Sequence, residues 1–309
     1  MGTLDGRVMI ITGAGRGIGR EHALYAASQG AKVVVNDLGG DIHGDGADRA
    51  PAQQVVDEIV AAGGEAAANV DSVSDFEGAK RLIDQAVDVF GDLHVLVNNA
   101  GILRDRVLVN MTEGEWDAVI GVHLKGHFCP TRHAAAYWRE QTKAGKEVRA
   151  SIVHTSSTSG VLGNAGQTNY GAAKAGIAAF STICAMELGR YGVRSNAITP
   201  MARTRLTEQT PGLEDLVKAP DDASKFDTWD PANISPMIAY LATTDCPFTG
   251  ETFFVQGDTV ARYQPYMLAE VISNHRERWT VERLIEEGPK LSPGDDRRGG
   301  PSELGRIPT

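Results

Sequence analysis

Tyr170 and Lys174 stand four residues apart in Tyr170-Gly171-Ala172-Ala173-Lys174, and Ser157 precedes the tyrosine by thirteen residues. Side chains four apart share one face of a helix, so a phenol and an ammonium are expected side by side. A free phenol ionises near pH ~10, too high for an efficient base at neutral pH. A neighbouring ammonium favours the phenolate and is expected to lower that value. A serine hydroxyl brought to the same place can donate a hydrogen bond to a substrate oxygen and hold it near the phenol. The chemistry is proton exchange with an alcohol or a carbonyl. A Tyr–Lys pair alone is commonly a surface pair, so the reading depends on what surrounds it.

The decisive surroundings lie at the other end of the chain. Thr12-Gly13-Ala14-Gly15-Arg16-Gly17-Ile18-Gly19 follows the apolar run Val8 to Ile11 and opens a helical pattern. Gly13, Gly17 and Gly19, with Arg16 and Ile18 between them, suit a turn where backbone and helix N-terminus approach a pyrophosphate. The spacing is G-x-x-x-G-x-G rather than G-x-G-x-x-G, and a Gly-rich turn without ligand is the bland alternative. Asp37 falls just past the second apolar run, eighteen residues after Gly19. A carboxylate there accepts hydrogen bonds from both adenosine ribose hydroxyls and repels a 2′-phosphate, which favours NAD over NADP. Arg16 would soften that preference if it reached a phosphate, and the bland alternative for Asp37 is a loop acid capping a turn. Together the two motifs predict hydride transfer between NAD(H) and a secondary alcohol or ketone. Ser157, Tyr170 and Lys174 would act at the reacting carbon, with Tyr170 and Lys174 also touching the nicotinamide ribose. The alternative class is an NAD-binding sensor that keeps the fold without the chemistry.

These residues need a frame that brings sequence-distant loops to one edge. From about residue 7 to 256, short apolar runs alternate with helical patterns. Strands are expected at Val8–Ile11, Val33–Val35, Leu93–Val97 (the fourth), Ser151–Thr155, 193–198 and Thr252–Val255. Helices are expected from the Gly turn to about Gln29, from Pro51, around Phe76 to Phe90, over Glu113–Gln141 and over 169–189. Val55, Val56, Ile59 and Val60 would share one buried helical face, as would Phe76, Leu82, Ile83, Val87 and Phe90. Continuous rather than alternating apolar strands suit a parallel sheet covered on both faces. The fold expected is therefore α/β, a doubly wound parallel seven-stranded Rossmann sheet with helices on both faces. Segment 200–230, with Pro200, Pro211 and Pro220, reads as a long mobile loop. Residues 1–260 form the main domain, and 261–309 a helical C-terminal extension. Within it residues 262–286 contain a helical, charge-rich stretch, and Gly288–Thr309 is a Pro/Gly-rich extended tail. Tyr263, Tyr266, Met267, Leu268, Val271, Ile272 and Trp279 make the extension too apolar for a free linker. Packing on the core or on a neighbouring subunit is expected.

The 309 residues are 42% hydrophobic and 23% charged with a net charge of −10, ordinary for a soluble enzyme and wrong for a nucleic-acid footprint. No apolar run approaches the ~18 residues of a membrane span. Cys129, Cys184 and Cys246 are far apart, form no metal or disulfide framework and suit a reducing compartment. With neither a signal pattern at the start nor a peroxisomal Ser-Lys-Leu at the end, a cytoplasmic location is expected.

The joint pattern resembles the short-chain dehydrogenase/reductase family. Thr12–Gly19 is similar to its cofactor turn, Asn98-Asn99-Ala100-Gly101 to its motif after the fourth strand, and Pro200 to its nicotinamide-side turn. Ser157, Tyr170 and Lys174 stand at the family's catalytic spacing. A narrower likeness, through Asn36–Asp41, Asp71–Val73, Asn98–Arg106, Val122–Gly126 and Gly163–Gln167, is to the (3R)-hydroxyacyl-CoA dehydrogenase part of peroxisomal multifunctional enzyme type 2, also called 17β-hydroxysteroid dehydrogenase type 4. The resemblance implies that Asp71 and Ser72 flank the adenine and that Asn98, Ala100 and Gly101 line the cofactor. It implies a small-molecule substrate, either a 3-hydroxyacyl-CoA or a steroid-like alcohol, and a homodimer or homotetramer formed through long helices flanking strands four and five. Asn99 is expected to pin neighbouring strands. Arg104 and Arg106 would meet a CoA phosphate or simply be solvated. His123 stands where most of the family has Asn, and a helix-packing imidazole is the favoured reading over a catalytic base.

Overall fold

The computed structural model describes residues 2–41, 43–46, 48–204, 217–222, 224–264 and 268–292. By chain contacts it divides into two units, 1–262 and 263–309.

In the first unit, β1 (Val8–Thr12), β2 (Lys32–Asn36), β3 (Glu65–Asn69), β4 (Val95–Asn98), β5 (Ala150–Thr155), β6 (Val193–Pro200), β7 (Thr252–Gln256) and β8 (Thr259–Arg262) form one sheet. Their order is β3-β2-β1-β4-β5-β6-β7-β8. Every pairing is parallel except β7 with β8. The expected sheet of seven is present, extended by one short antiparallel edge strand. Chain order reverses between β1 and β4, and a crevice opens beyond the carboxyl ends of strands at such a switch point.

The inner strands are continuous apolar runs because both of their faces are covered. β1, β4 and β5 are buried throughout. One face packs under α1 (Gly17–Ser28), α2 (Ala50–Ala61) and α8 (Ser235–Ala242), with Met9, Ile11, Val33, Val97 and Ile198 in the layer. The other packs under α3 (Phe76–Phe90) and α5 (Gly126–Lys143), with Val8, Ile10, Val34, Leu96 and Trp138. Each such fully buried aliphatic side chain contributes roughly 1.5–3 kcal/mol of transfer free energy.

Several helices differ from their sequence patterns. In α2, Val55, Val56 and Ile59 are buried, but Val60 points outward at 54% exposure. On α3, Leu82 and Ile83 are buried, Val87 and Phe90 pack at the margin, and Phe76 lies at the exposed end. The long helix expected over Glu113–Gln141 is α4 (Glu113–Ile120), a π-helical turn (Gly121–Lys125) and then α5. A Thr112–Glu115 capping box fixes its start. Short α6 (Thr158–Val161) and long α7 (Thr168–Leu188) follow β5.

Of the segment read as a long loop, residues 205–216 and 223 lie outside the described residues. Its flanks are anchored. Met201 N–H donates to Val255, Arg203 pairs with Asp227, and Val217 is buried. In the second unit the helical stretch expected within 262–286 is α9 (Val281–Glu287), N-capped by Thr280. Positive φ angles at His275 and Arg276 break the pattern before it. Tyr266, Met267 and the tail from 293 onward fall outside the described residues.

Candidate active site

The crevice at the switch point is a cleft built from the strand ends. Thr12 closes β1, and its hydroxyl accepts the N–H groups of Asn99 (2.9 Å) and Ala100 (3.1 Å) beyond β4. The Asn99 amide donates to the carbonyls of Thr12 and Gly13 at 3.0 and 3.1 Å. Asn99 therefore does pin two strand ends. Gly13 has φ +63°, and a Cβ there would lie 2.7 Å from the Ala100 Cα. A Cβ on Gly19 would come within 2.1 Å of the Gly13 carbonyl. Both positions are closed to any larger residue, so the turn lies flat against the neighbouring loop with the α1 N-terminus open to the cleft.

Asp37 stands at the end of β2. Its two carboxylate oxygens accept the N–H of Gly15 (2.8 Å) and of Gly39 (2.7 Å), which fixes the group at the cleft wall. Arg16 also lines the cleft, its guanidinium 3.3 Å from the Gly40 carbonyl. Asp71 and Ser72 follow β3 in the wall. Asp71 is held by Arg81 and by the Asn69 amide, and Ser72 Oγ lies 3.0 Å from Ser74 Oγ. Gly17, Ile18, Gly101 and Pro200 complete the predicted lining.

Asn98 departs from expectation. It is fully buried, and its amide donates to Thr131 at 2.9 Å and meets His154 at 3.3 Å, away from the cleft. Successive residues of a strand point to opposite faces, so Asn98 goes under α5 while Asn99 takes the cleft side. The sequence reading also missed an apolar lining of Leu38, Val73, Ile102 and Val122. Only their adjacency to motif residues signals it.

The three proposed catalytic residues do converge. Tyr170 and Lys174 on α7 line the cleft, with Lys174 Nζ 5.4 Å from the Tyr170 ring centre. Ser157, the N-cap of α6, is not itself in the cleft lining, but its hydroxyl lies near enough to Tyr170 to oppose the rise of the phenol's pKa. Its own oxygen accepts the Ser159 N–H at 3.2 Å. Lys174 is buried and donates to the Thr155 carbonyl at 2.6 Å, while Ser156 Oγ donates to the Lys174 carbonyl at 2.8 Å. β5 thus holds α7 at the lysine.

The electrostatics differ from the simple expectation. Burial pushes the Tyr170 phenol up to about 12, with Asp105 adding to the rise and the Ser157 hydroxyl opposing it. Burial pulls the Lys174 ammonium down to about 7. Desolvation disfavours both charged forms, and it is the largest influence on each. Tyr170 is therefore a protonated phenol at neutral pH.

His123 sits in the π-helical turn, buried, its ring edge-on to Tyr170 with centres 5.1 Å apart. Its Nε2 lies 2.8 Å from the Ile102 carbonyl. Burial, with Lys174 adding, pulls its pKa to about 3, as suits a packed neutral imidazole. Arg104 and Arg106 are already paired, with Asp45 at 3.1 Å and Glu115 at 2.8 Å. Neither offers an unneutralised guanidinium to a phosphate.

Comparison with known proteins agrees with this geometry. Residues 7–212 match the short chain dehydrogenase family. A hydroxyacyl-CoA dehydrogenase of Mycobacterium tuberculosis is 43% identical over 91% of this chain and 87% of its own length. The peroxisomal multifunctional enzyme type 2 of Drosophila melanogaster is 47% identical over 80% of the chain, which spans 38% of that longer protein. A crystal structure of a short chain dehydrogenase from Mycobacterium avium superposes with a TM-score of 0.83 at 48% identity, covering 94% of this chain and 96% of that one.

Proposed function

Because the chain belongs to the short-chain dehydrogenase family, and so is an oxidoreductase, we propose that it transfers hydride between NAD(H) and the carbinol carbon of a 3-hydroxyacyl-CoA or a steroid-derived thioester. The observation that carries this reading is the convergence of Tyr170 and Lys174, with Ser157 beside the phenol, on a cleft that also holds the glycine turn and Asp37. The flat Gly13–Gly19 cradle fits a pyrophosphate, and the fixed Asp37 carboxylate fits an unphosphorylated adenosine ribose. Gly13, Arg16, Gly17, Ile18, Gly19, Asp37, Asp71, Ser72, Ala100, Gly101 and Pro200 would hold the dinucleotide. When bound, it supplies the nicotinamide carbon that gives or takes hydride.

The chain's own residues do the rest. Ser157 holds the substrate oxygen by a hydrogen bond. In the reductive direction the Tyr170 hydroxyl gives its proton to that oxygen, for which a neutral phenol is suited. In the oxidative direction Tyr170 must first be deprotonated, and Lys174 is placed to favour the phenolate as its own proton is held. The thioester substrate rests on the hydroxyacyl-CoA dehydrogenase relative. We also assign the protein to a homodimer or homotetramer, supported by apolar side chains left exposed on long helices: Phe128 on α5, and Ile183 and Met186 on α7. A cytoplasmic location is assigned on the three buried, unpaired cysteines. Among the described residues no helix is long and apolar enough to cross a membrane.

The test is a direct assay of purified protein with 3-hydroxyacyl-CoA of either configuration and a 17β-hydroxysteroid, each with NAD and NADP. Turnover of one thioester configuration with NAD is expected; no thioester turnover would remove the substrate assignment and leave hydride transfer to be tried on other alcohols. Asp37→Ser is expected to raise the NADP to NAD ratio of kcat/KM at least tenfold, because it removes both the ribose acceptor and the charge facing a 2′-phosphate. An unchanged ratio would show that Asp37 only braces the turn.

A further inference from the structure

Residues 104–106 and 163–167 have no role in the scheme so far, yet the fold ties them together beside the reacting group. Arg106 N–H donates to the Gly166 carbonyl at 2.8 Å, and the Asn169 amide donates to the Arg104 carbonyl at 3.0 Å. Within this joint Gln167 is buried at 8% exposure. Its amide N–H donates to an Asp105 carboxylate oxygen at 2.6 Å. Its carbonyl accepts the Ser159 hydroxyl at 2.8 Å and the Asn164 amide at 3.0 Å. Ser159 in turn donates its backbone N–H to Ser157 Oγ.

The geometry points to Asp105 and Gln167 as positioning residues of the reaction: through Ser159 they hold the Ser157 hydroxyl in the orientation that places substrate oxygen against Tyr170. This rests on the reading of Tyr170 as the acid/base. The direction of each bond fits. Asp105 accepts, which orients the Gln167 amide and turns its carbonyl toward Ser159. Ser159 is then fixed at its side chain while its N–H occupies one lone pair of the Ser157 oxygen. The Ser157 proton is thereby directed away from Ser159, free for the phenol or for substrate. A serine on a four-residue helix would otherwise have three χ1 wells open to it, and a misaimed hydroxyl loses catalysis steeply.

Asp105 also brings a charge. It is exposed, and its carboxylate adds to the rise of the Tyr170 pKa. The other ionisable groups facing Tyr170 are Lys174 on the same helix and His123 on the π-helical turn. Arg104 and Arg106, which flank Asp105, are engaged with Asp45 and Glu115. Removing the carboxylate therefore leaves no unpaired guanidinium from these two neighbours in its place.

Position and charge separate in two substitutions. Asp105→Asn keeps an acceptor for Gln167 and loses the charge, whereas Asp105→Ala loses both. With the full chain, NAD and the thioester that wild type turns over, Asp105→Asn is expected to retain kcat within about threefold. Its rising alkaline limb of oxidative kcat/KM should move to lower pH by about half a unit, the scale of a solvent-screened charge. Asp105→Ala and Gln167→Leu are expected to lose about tenfold to a hundredfold in kcat with the KM for NAD unchanged. Wild-type kcat in Asp105→Ala and Gln167→Leu, or an Asp105→Asn profile superimposed on wild type, would overturn the proposal. Should Gln167→Leu fail to fold, the two variants at the exposed position 105 decide alone. Should wild type turn over nothing offered, the substrate assignment is what fails. Crystal structures of wild type and Asp105→Ala then decide this one, since an unmoved Ser157 hydroxyl would refute it.

Discussion

Tyr170→Phe is expected to bind NAD as wild type does and to turn over ~100- to 10,000-fold more slowly, the range that a positioned acid/base contributes. The substitution removes one oxygen from a ring that is already half-buried and packed edge-on against His123. The fold should tolerate it, because phenylalanine fills the same site and the nearby Ser157 hydroxyl is itself held by Ser159. Lys174 keeps its bond to the Thr155 carbonyl in the variant, so the cofactor-facing charge does not change. Nicotinamide binding followed by protein fluorescence quenching and turnover followed by NADH absorbance separate the two effects. Lost binding would mean that the tyrosine supports the cleft. Unchanged turnover would mean that another group moves the proton.

A second large effect concerns acid. His22, His123 and His154 are buried, and desolvation pulls each to about 3. His127 is also held well below its ordinary value by burial and by His154. His127 and His154 stack with their Nδ1 atoms 3.2 Å apart, an arrangement that needs one proton between them and excludes two charged rings. In the unfolded chain all four titrate near pH ~6.5. Between that value and the folded one the unfolded state binds more protons, so stability falls as pH falls from 6.5 toward 3 and is restored above 6.5. At pH 5.5 the three residues with stated values cost together about 4 kcal/mol relative to pH 8, and His127 adds in the same direction. Domains of ordinary stability have only about 5–15 kcal/mol in hand. Urea unfolding at pH 8 and at pH 5.5 should therefore show a large drop in midpoint, with acid unfolding above pH 4. Equal midpoints would show that water or rearrangement lets the imidazoles charge within the fold.

Reading the sequence located the chemistry better than it located the margins of the fold. The inner strands announced themselves because residues buried on both faces must be apolar at every position, as in Val33-Val34-Val35. Strand β3 carries Glu65-Ala66-Ala67-Ala68-Asn69 and pairs only with β2. An edge strand of alanines has neither β-branched residues nor a continuous apolar run, so nothing in its composition separates it from the end of a helix. Strand β8 is four residues long and half-exposed or more throughout, for the same reason nearly silent. The π-helical turn at Gly121–Lys125 replaces one stretch of an unbroken helical pattern, since an added residue per turn leaves the apolar periodicity almost unaltered over so short a span.

At the site, motif residues whose work is done by backbone or by a fixed charge were legible: the glycines, Asp37, Tyr170 and Lys174 all meet in one cleft. What spacing cannot give is the direction of a side chain at a strand end, and Asn98 against Asn99 is the case in point. Nor does spacing weigh burial against charge. The four-residue step from Tyr170 to Lys174 predicted a lowered phenol, and the depth of the cleft reversed the sign. The bond chain from Asp105 through Gln167 to Ser157 joins loops more than fifty residues apart, and only the folded chain brings those groups into one line.

The central claim is that this cleft moves a hydride from a carbinol carbon while Tyr170 moves the proton. The most direct measurement is a single turnover of a 3-hydroxyacyl-CoA deuterated at carbon 3, with NAD in excess and enzyme above substrate. Deuterium is predicted to appear in the reduced nicotinamide of the wild-type reaction and to be absent from solvent, with the same transfer nearly abolished in Tyr170→Phe. Deuterium released to water, or label transferred equally fast by the phenylalanine variant, would contradict the account.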